Sequence, residues 1–120
     1  MSAETDLYTA LSTDAALVAV IEDKISSDIA DEEIEPPFIY YEKINSEAFN
    51  TIHGGAPFAE ISEIAVVCFS ESREEAESIA NLAMLAATNN DFVYTGSESE
   101  YEEEQKLYAS LIQLKHFQSN

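Results

Sequence analysis

The chain has one cysteine, no tryptophan, three glycines, three prolines and five basic residues in 120. A lone Cys68 excludes an internal disulfide framework and a zinc cluster built on cysteines. So little Gly and Pro, beside 46% hydrophobic residues, excludes a linker or a disordered tract. The longest uninterrupted apolar run is far short of a membrane span, and the start has no basic-then-apolar leader pattern. An intracellular chain, or one assembled into something inside a cell, is therefore expected, with no membrane partner. The shortage of cations carries furthest. Against 24 acidic residues it gives a net charge of −19, which repels phosphate backbones and anionic lipid surfaces alike. Three uses of such a surface remain: solubility, letting nucleic acid slide past, or imitating nucleic acid.

What is present is organised around Glu60–Thr88. Ile61 and the run from Ile64 to Phe69 are apolar and rich in β-branched residues, which predicts a strand covered on both faces. Ser72-Arg73-Glu74-Glu75 predicts a capping box, the Ser72 hydroxyl accepting from the Glu75 amide and Glu75 reaching back to the cap's own N–H. Glu71, Glu74, Glu75 and Glu77 crowd the positive end of the helix dipole, and Asn89-Asn90 predicts its close in left-handed backbone. Ala76, Ile79, Ala80, Ala83 and Ala87 form the stripe that packs on a sheet. From Leu82 to Ala87 the helix is apolar all round, so either the first helix covers its second side or that end meets another subunit.

Before this unit, Thr5 predicts a cap for a short helix over Asp6–Leu11. Ser12-Thr13-Asp14 restarts a helix to about Ile21 with Leu17, Val18 and Ile21 inward, and the two pieces are readable as one bent helix. Ile25–Ala30 reads as extended but too short and polar for a central strand, and Asp31–Glu35 as an acidic loop leading to Pro36-Pro37. Phe38–Ile44 is a strand by its aromatic and β-branched content. Asn45–Ala59 connects it to the central strand, either as a long loop or as an extended hairpin with Gly54-Gly55 at its tip. After the helix come a short strand Phe92–Thr95, a turn at Gly96, an acidic hairpin Ser97–Gln105 and a last strand Leu107–Phe117. In that strand Leu107, Ala109 and Leu111 share one face, and Tyr108, Ile112 and Leu114 the other.

These elements predict one α+β domain over residues 1–120: a four-stranded, mainly antiparallel sheet with two helices on one face, and a long projecting loop or hairpin between its first two strands. Two helices cannot cover two apolar faces, so a second copy of the chain is the economical cover for the other.

Chemistry is sparse. His53-Gly54-Gly55 has no G-x-S-x-G elbow to serve, and a glycine turn explains it. Cys68 sits mid-strand as a small hydrophobe, while Lys115 and His116 read as surface residues at a strand end. Glu98, Glu100, Glu102, Glu103 and Glu104 have no Asp-x-Asp-x-Asp-Gly order and read as a solvated hairpin, with Tyr101 and Tyr108 anchoring it. No catalytic residue, cofactor site or metal site is assigned, and an enzyme is not expected.

Several features resemble, in order and spacing, the tail-completion or tail terminator family of tailed bacteriophages. They are helical Leu11, Asp14, Leu17 and Ile21, extended Ile25, and Pro37-Phe38-Ile39 leading to Tyr41. A strand ending at Phe69 before Ala76-Glu77 and Ile79-Ala80 follows, then Tyr101-Glu102 with Glu104 before Leu107-Tyr108. The resemblance implies a subunit of a ring of six copies at the head-proximal end of the tail tube. Such a ring ends tube polymerisation, docks a head-tail connector protein and passes DNA without reading it, in a virion assembled in host cytoplasm. Phe49, Ile52, Phe58, Leu82, Met84, Leu85 and Leu111 are then the expected contacts between copies. Glu32 and Glu33 with Glu98, Glu100, Glu102, Glu103 and Glu104 are the acids expected at the DNA channel. Another neck or connector subunit and an acidic DNA-mimic inhibitor are the alternatives.

Overall fold

The computed structural model describes residues 3–27, 35–49, 59–104 and 106–119. Three helices and five strands follow in the order α1 (Ala3–Ser12), α2 (Ala15–Ile21), β1 (Ile25–Ser26), β2 (Phe38–Phe49), β3 (Ala59–Ser70), α3 (Arg73–Thr88), β4 (Phe92–Glu102) and β5 (Leu107–Ser119). The α+β class stands, but the expected four strands and two helices become five and three. The sheet is mixed, with order β1-β2-β3-β5-β4, because β1 joins its edge parallel to β2 through Ile25 opposite Ile39 and Ser26 opposite Tyr40. All other neighbours are antiparallel.

The first helix is two separate helices, since Asp14 is a true cap: its carboxylate accepts from the Leu17 amide at 3.0 Å. Thr5 lies inside the first turn of α1 and not at its cap position, for the helix already runs from Ala3. Leu17 and Ile21 turn fully inward, whereas Val18 is only half-buried.

At the start of α3 the Ser72 hydroxyl accepts from the Glu75 amide at 3.1 Å, as the capping box requires. The return half differs. The Glu75 carboxylate accepts from the Ser70 hydroxyl, and that hydroxyl oxygen in turn accepts from the Ser72 amide at 3.3 Å. Ser70 is fully buried at the end of β3, so the relay ties the strand to the helix. At the other end Asn89 stays right-handed, and Asp91, with φ 71°, is the residue that adopts the left-handed conformation.

Between β2 and β3 the hairpin form is realised: pairing continues from Phe38 opposite Phe69 out to Phe49 opposite Ala59. The Gly54-Gly55 tip, together with His53, Ile52 and Phe58, lies outside the described residues. β4 is eleven residues long and not a short strand with a turn at Gly96, so most of the expected acidic hairpin is strand. Its backbone is held by pairing with Leu107–His116 of β5 rather than by burial, since Phe92 is the one residue of β4 in the core. β5 is inserted between β3 and β4, leaving β3 and β4 parallel to each other with α3 crossing between them.

The core forms between the helices and one face of the sheet. Leu7, Leu11, Leu17, Ile21, Ile79 and Ala83 meet Ile39, Tyr41, Ile64, Val66, Cys68, Ile112 and Leu114. Each fully buried aliphatic side chain contributes about 1.5–3 kcal/mol. In β3 Ser62, Ile64, Val66, Cys68 and Ser70 are buried toward this core, and Ala65 is buried on the opposite face. Their neighbours Ile61, Glu63, Val67 and Phe69 point to the opposite face and are half-buried.

Candidate assembly surface

Among the described residues no helix packs on that opposite face, and the register fixes what it presents. One row runs from Phe38 through Phe69 and Ala109 to Glu100; the next runs from Tyr40 through Val67 and Leu111 to Glu98. The Phe38 and Phe69 rings stack with centroids 4.9 Å apart. Tyr40, Val67, Phe69 and Leu111 are half-buried, and Phe38 and Ala109 are buried. The result is an apolar block on β2, β3 and β5 bordered by a column of carboxylates on β4. Glu98, Glu100 and Glu102 alternate with Ser97, Ser99 and Tyr101 and so project from the same face as the block.

Farther along, the two strands that flank the β3–β5 pair bulge at one level. β2 slips at Ile44, between Lys43 and Asn45; β4 slips at Thr95, between Tyr94 and Gly96. An extra residue in each flanking strand bends the sheet there. A shallow concavity of about 320 Å³ results, lined by Ile44, Glu63, Thr95, Gln113 and Lys115 and by parts of Ile64 and Leu114. The Lys115 ammonium lies 3.6 Å from a Glu63 carboxylate oxygen within it. Both partners are more than a third exposed, so this pair contributes well under ~1 kcal/mol.

The residues singled out in the sequence distribute over this frame as follows. Leu111 lies in the open block, and Phe49 ends β2. Leu82 and Met84 are half-buried against the core beneath α1 and α2, while Leu85 is 46% exposed. Both α1 and α2 pack against α3. Of the acids, Glu98 and Glu100 are exposed and Glu102 half-buried on β4, and Glu103 and Glu104 are exposed beside it; Glu32 and Glu33 lie outside the described residues. Tyr101 and Tyr108 do pack on one another, centroids 4.9 Å apart, and the Arg73 guanidinium lies 5.5 Å above the Tyr108 ring.

His116 corrects the sequence reading. It is buried, stacks against Phe92 with centroids 4.5 Å apart, and places Nε2 3.6 Å from an Asp6 carboxylate oxygen of α1. Its Nδ1 is buried without a hydrogen-bond partner. The alternation of β5 carried this signal: His116 falls in phase with Ile112 and Leu114, on the core face. Cys68 is fully buried, and loss of hydration pushes its thiol far above the usual cysteine range, which leaves it protonated and unreactive. Among the described residues no three His, Cys, Asp or Glu side chains gather to hold a metal ion. No described helix is long and apolar enough to cross a membrane. What the open face offers is a contact surface, apolar in the middle and anionic along one edge.

The sequence matches no protein-family model and no curated protein. The fold does have a counterpart: it is similar to a chain in the virion of a native gene transfer agent particle, with a TM-score of 0.70 over 99% of this chain and 96% of that one, at 10% sequence identity.

Proposed function

We propose that the chain is a structural virion subunit that forms a ring, of six copies, at the head-proximal end of a phage-like tail. In this reading the ring caps the tail tube, ends its polymerisation and presents a docking surface to the head-tail connector protein. It carries out no catalysis and needs no cofactor.

The observation that supports it best is the apolar block around Val67 and Leu111, on a sheet face that no described helix covers, in a fold shared nearly end to end with a virion chain. A sheet face of this kind is a contact surface awaiting cover, and a particle subunit finds that cover on assembly. The carboxylates of β4, with those of the Glu103–Glu104 turn, then border the channel through which DNA moves. Repulsion between them and the phosphates keeps the polymer from sticking to the wall. Glu32 and Glu33 are assigned to the same channel.

Light scattering on the purified protein, with electron microscopy for rings and for capping of tail tubes, tests this directly. Closed rings seated on tube ends support it. A stable monomer that ignores tubes and instead captures a basic DNA-binding enzyme would replace it with the DNA-mimic reading. Rings that bind a connector but never a tube would move it to another neck position.

A further inference from the structure

We infer that neighbouring copies meet edge to edge, the first half of β4 on one copy pairing antiparallel with the outer edge of β2 on the next, around Lys43. This rests on the ring reading above and assigns its contact.

The register shows what each edge of the sheet presents. On one side β1 reaches β2 only at Ile39 and Tyr40, so among the described residues no strand lies beside β2 from Glu42 onward. On the other side β4 has β5 as its one strand neighbour. The Ile39 amide donates outward, to the Lys24 carbonyl at 2.9 Å. Successive residues of an antiparallel strand turn their N–H and C=O to alternate sides, and bonded pairs alternate with non-bonded ones across the sheet. Two rows, Ile39–Cys68–Ser110–Ser99 and Lys43–Ile64–Leu114–Tyr94, therefore turn the backbone groups of their end residues outward. In the first row one end is already taken, by Lys24. In the second both ends face out, Lys43 on β2 and Tyr94 on β4.

Sheet edges are guarded against pairing by charge or by a covering segment. Here those guards stand at other levels: Glu98, Glu100 and Glu102 occupy the second half of β4, and β1 covers the start of β2. From Phe92 to Ser97 β4 has no charged residue. Among the described residues, the large hydrophobic side chains that the sheet leaves exposed are Ile44, Val93, Tyr94 and Tyr101. The first three lie at this one level, on opposite edges. Lys43 is exposed too, and it shares a face of the sheet with Tyr94, since their partners Ile64 and Leu114 both enter the core. Edge pairing thus sets a cation beside a phenol ring, a favourable cross-strand pair.

Strand direction decides the symmetry. β2, β3, β5 and β4 alternate, so β4 runs opposite to β2. A second copy set alongside, the same way up, adds its β2 antiparallel to β4 and continues the alternation. Repeating that step uses both edges of every copy and closes a ring. A two-fold pairing of β4 with β4 uses one edge twice and leaves that of β2 bare.

Proline at a position whose N–H faces outward blocks a neighbouring strand without removing a bond from its own sheet. Lys43→Pro and Tyr94→Pro are such changes, and Ser99→Pro is the control on the acidic half of β4. Circular dichroism checks folding; Lys43→Glu and Tyr94→Glu serve where a proline variant does not fold. Lys43→Pro and Tyr94→Pro are each expected to scatter as a 13.3 kDa monomer, and Ser99→Pro to form rings like the wild type. Mixed in equal amounts, the first two are expected to give 1:1 dimers and no rings, because one intact pair of edges remains between them. Folded Tyr94→Pro protein that still forms wild-type rings overturns the inference while leaving the ring reading intact. So does a mixture that stays monomeric, or a Lys43→Pro protein that dimerises alone, which would mean a two-fold contact. Loss of rings in folded Ser99→Pro overturns the assigned level. A wild-type protein that is monomeric at every salt concentration overturns the ring reading itself.

Discussion

The imidazole of His116 joins the far end of β5 to α1, with Nε2 3.6 Å from an Asp6 oxygen and its ring against Phe92. One nitrogen thus has a carboxylate nearby, and the other, Nδ1, is buried with nothing to bond. An unpaired buried polar atom costs about 1–3 kcal/mol, more than a partly exposed ion pair at this distance contributes. His116→Phe is therefore expected to leave the protein as stable or to stabilise it by up to about 1 kcal/mol, while keeping the aromatic contact. His116→Ala is expected to destabilise it by about 1–3 kcal/mol through the lost packing on Phe92. Urea unfolding of the three proteins decides between these signs.

The relay from Ser72 through Ser70 to Glu75 fixes the β3–α3 junction. Ser72→Ala is expected to cost about 1 kcal/mol, the ordinary value of a helix cap. Ser70→Ala should cost at least as much, since it strips one partner from both the Glu75 carboxylate and the Ser72 amide. Thermal melts that rank Ser70→Ala as harmless would mean that the relay adds nothing to the cap.

Cys68 is enclosed between Ile39 and Ser110 on the core face. Native protein is expected to be inert to a thiol reagent such as Ellman's at pH 8, and to react at one site per chain once unfolded in guanidinium. Fast labelling of the folded protein would show that this part of the sheet opens.

Assembly of chains this acidic gains nothing from long-range attraction. Screening should weaken the repulsion while apolar contacts persist, so the oligomer is expected to tighten at least several-fold between about 50 mM and 500 mM salt. Sedimentation velocity across that range checks it. Dissociation with rising salt would mean that ion pairs hold the copies together.

Much of this was readable from the chain itself, because helix caps and apolar periodicity are local. Ser72, the alanine stripe of α3 and the aliphatic runs of β3 and β5 each marked their element without help from the rest. β4 beyond Gly96 was not readable, since Ser and Glu alternate from Ser97 to Glu100 without an apolar residue, and hydrogen bonding to β5 makes it a strand. β1 was read as extended but not as part of the sheet, for two residues acquire strand character only when β2 lies alongside.

Sequence by itself determined the two-layer content, the buried stripe and the excess of negative charge, all of which follow from residue type and near-neighbour spacing. Tertiary structure decided that β5 enters between β3 and β4, that His116 turns inward, and that all three helices gather on one side. Those outcomes depend on which distant segments pair, and pairing across a sheet is set by competition among whole surfaces. That competition put Val67 and Leu111 on the face away from the helices.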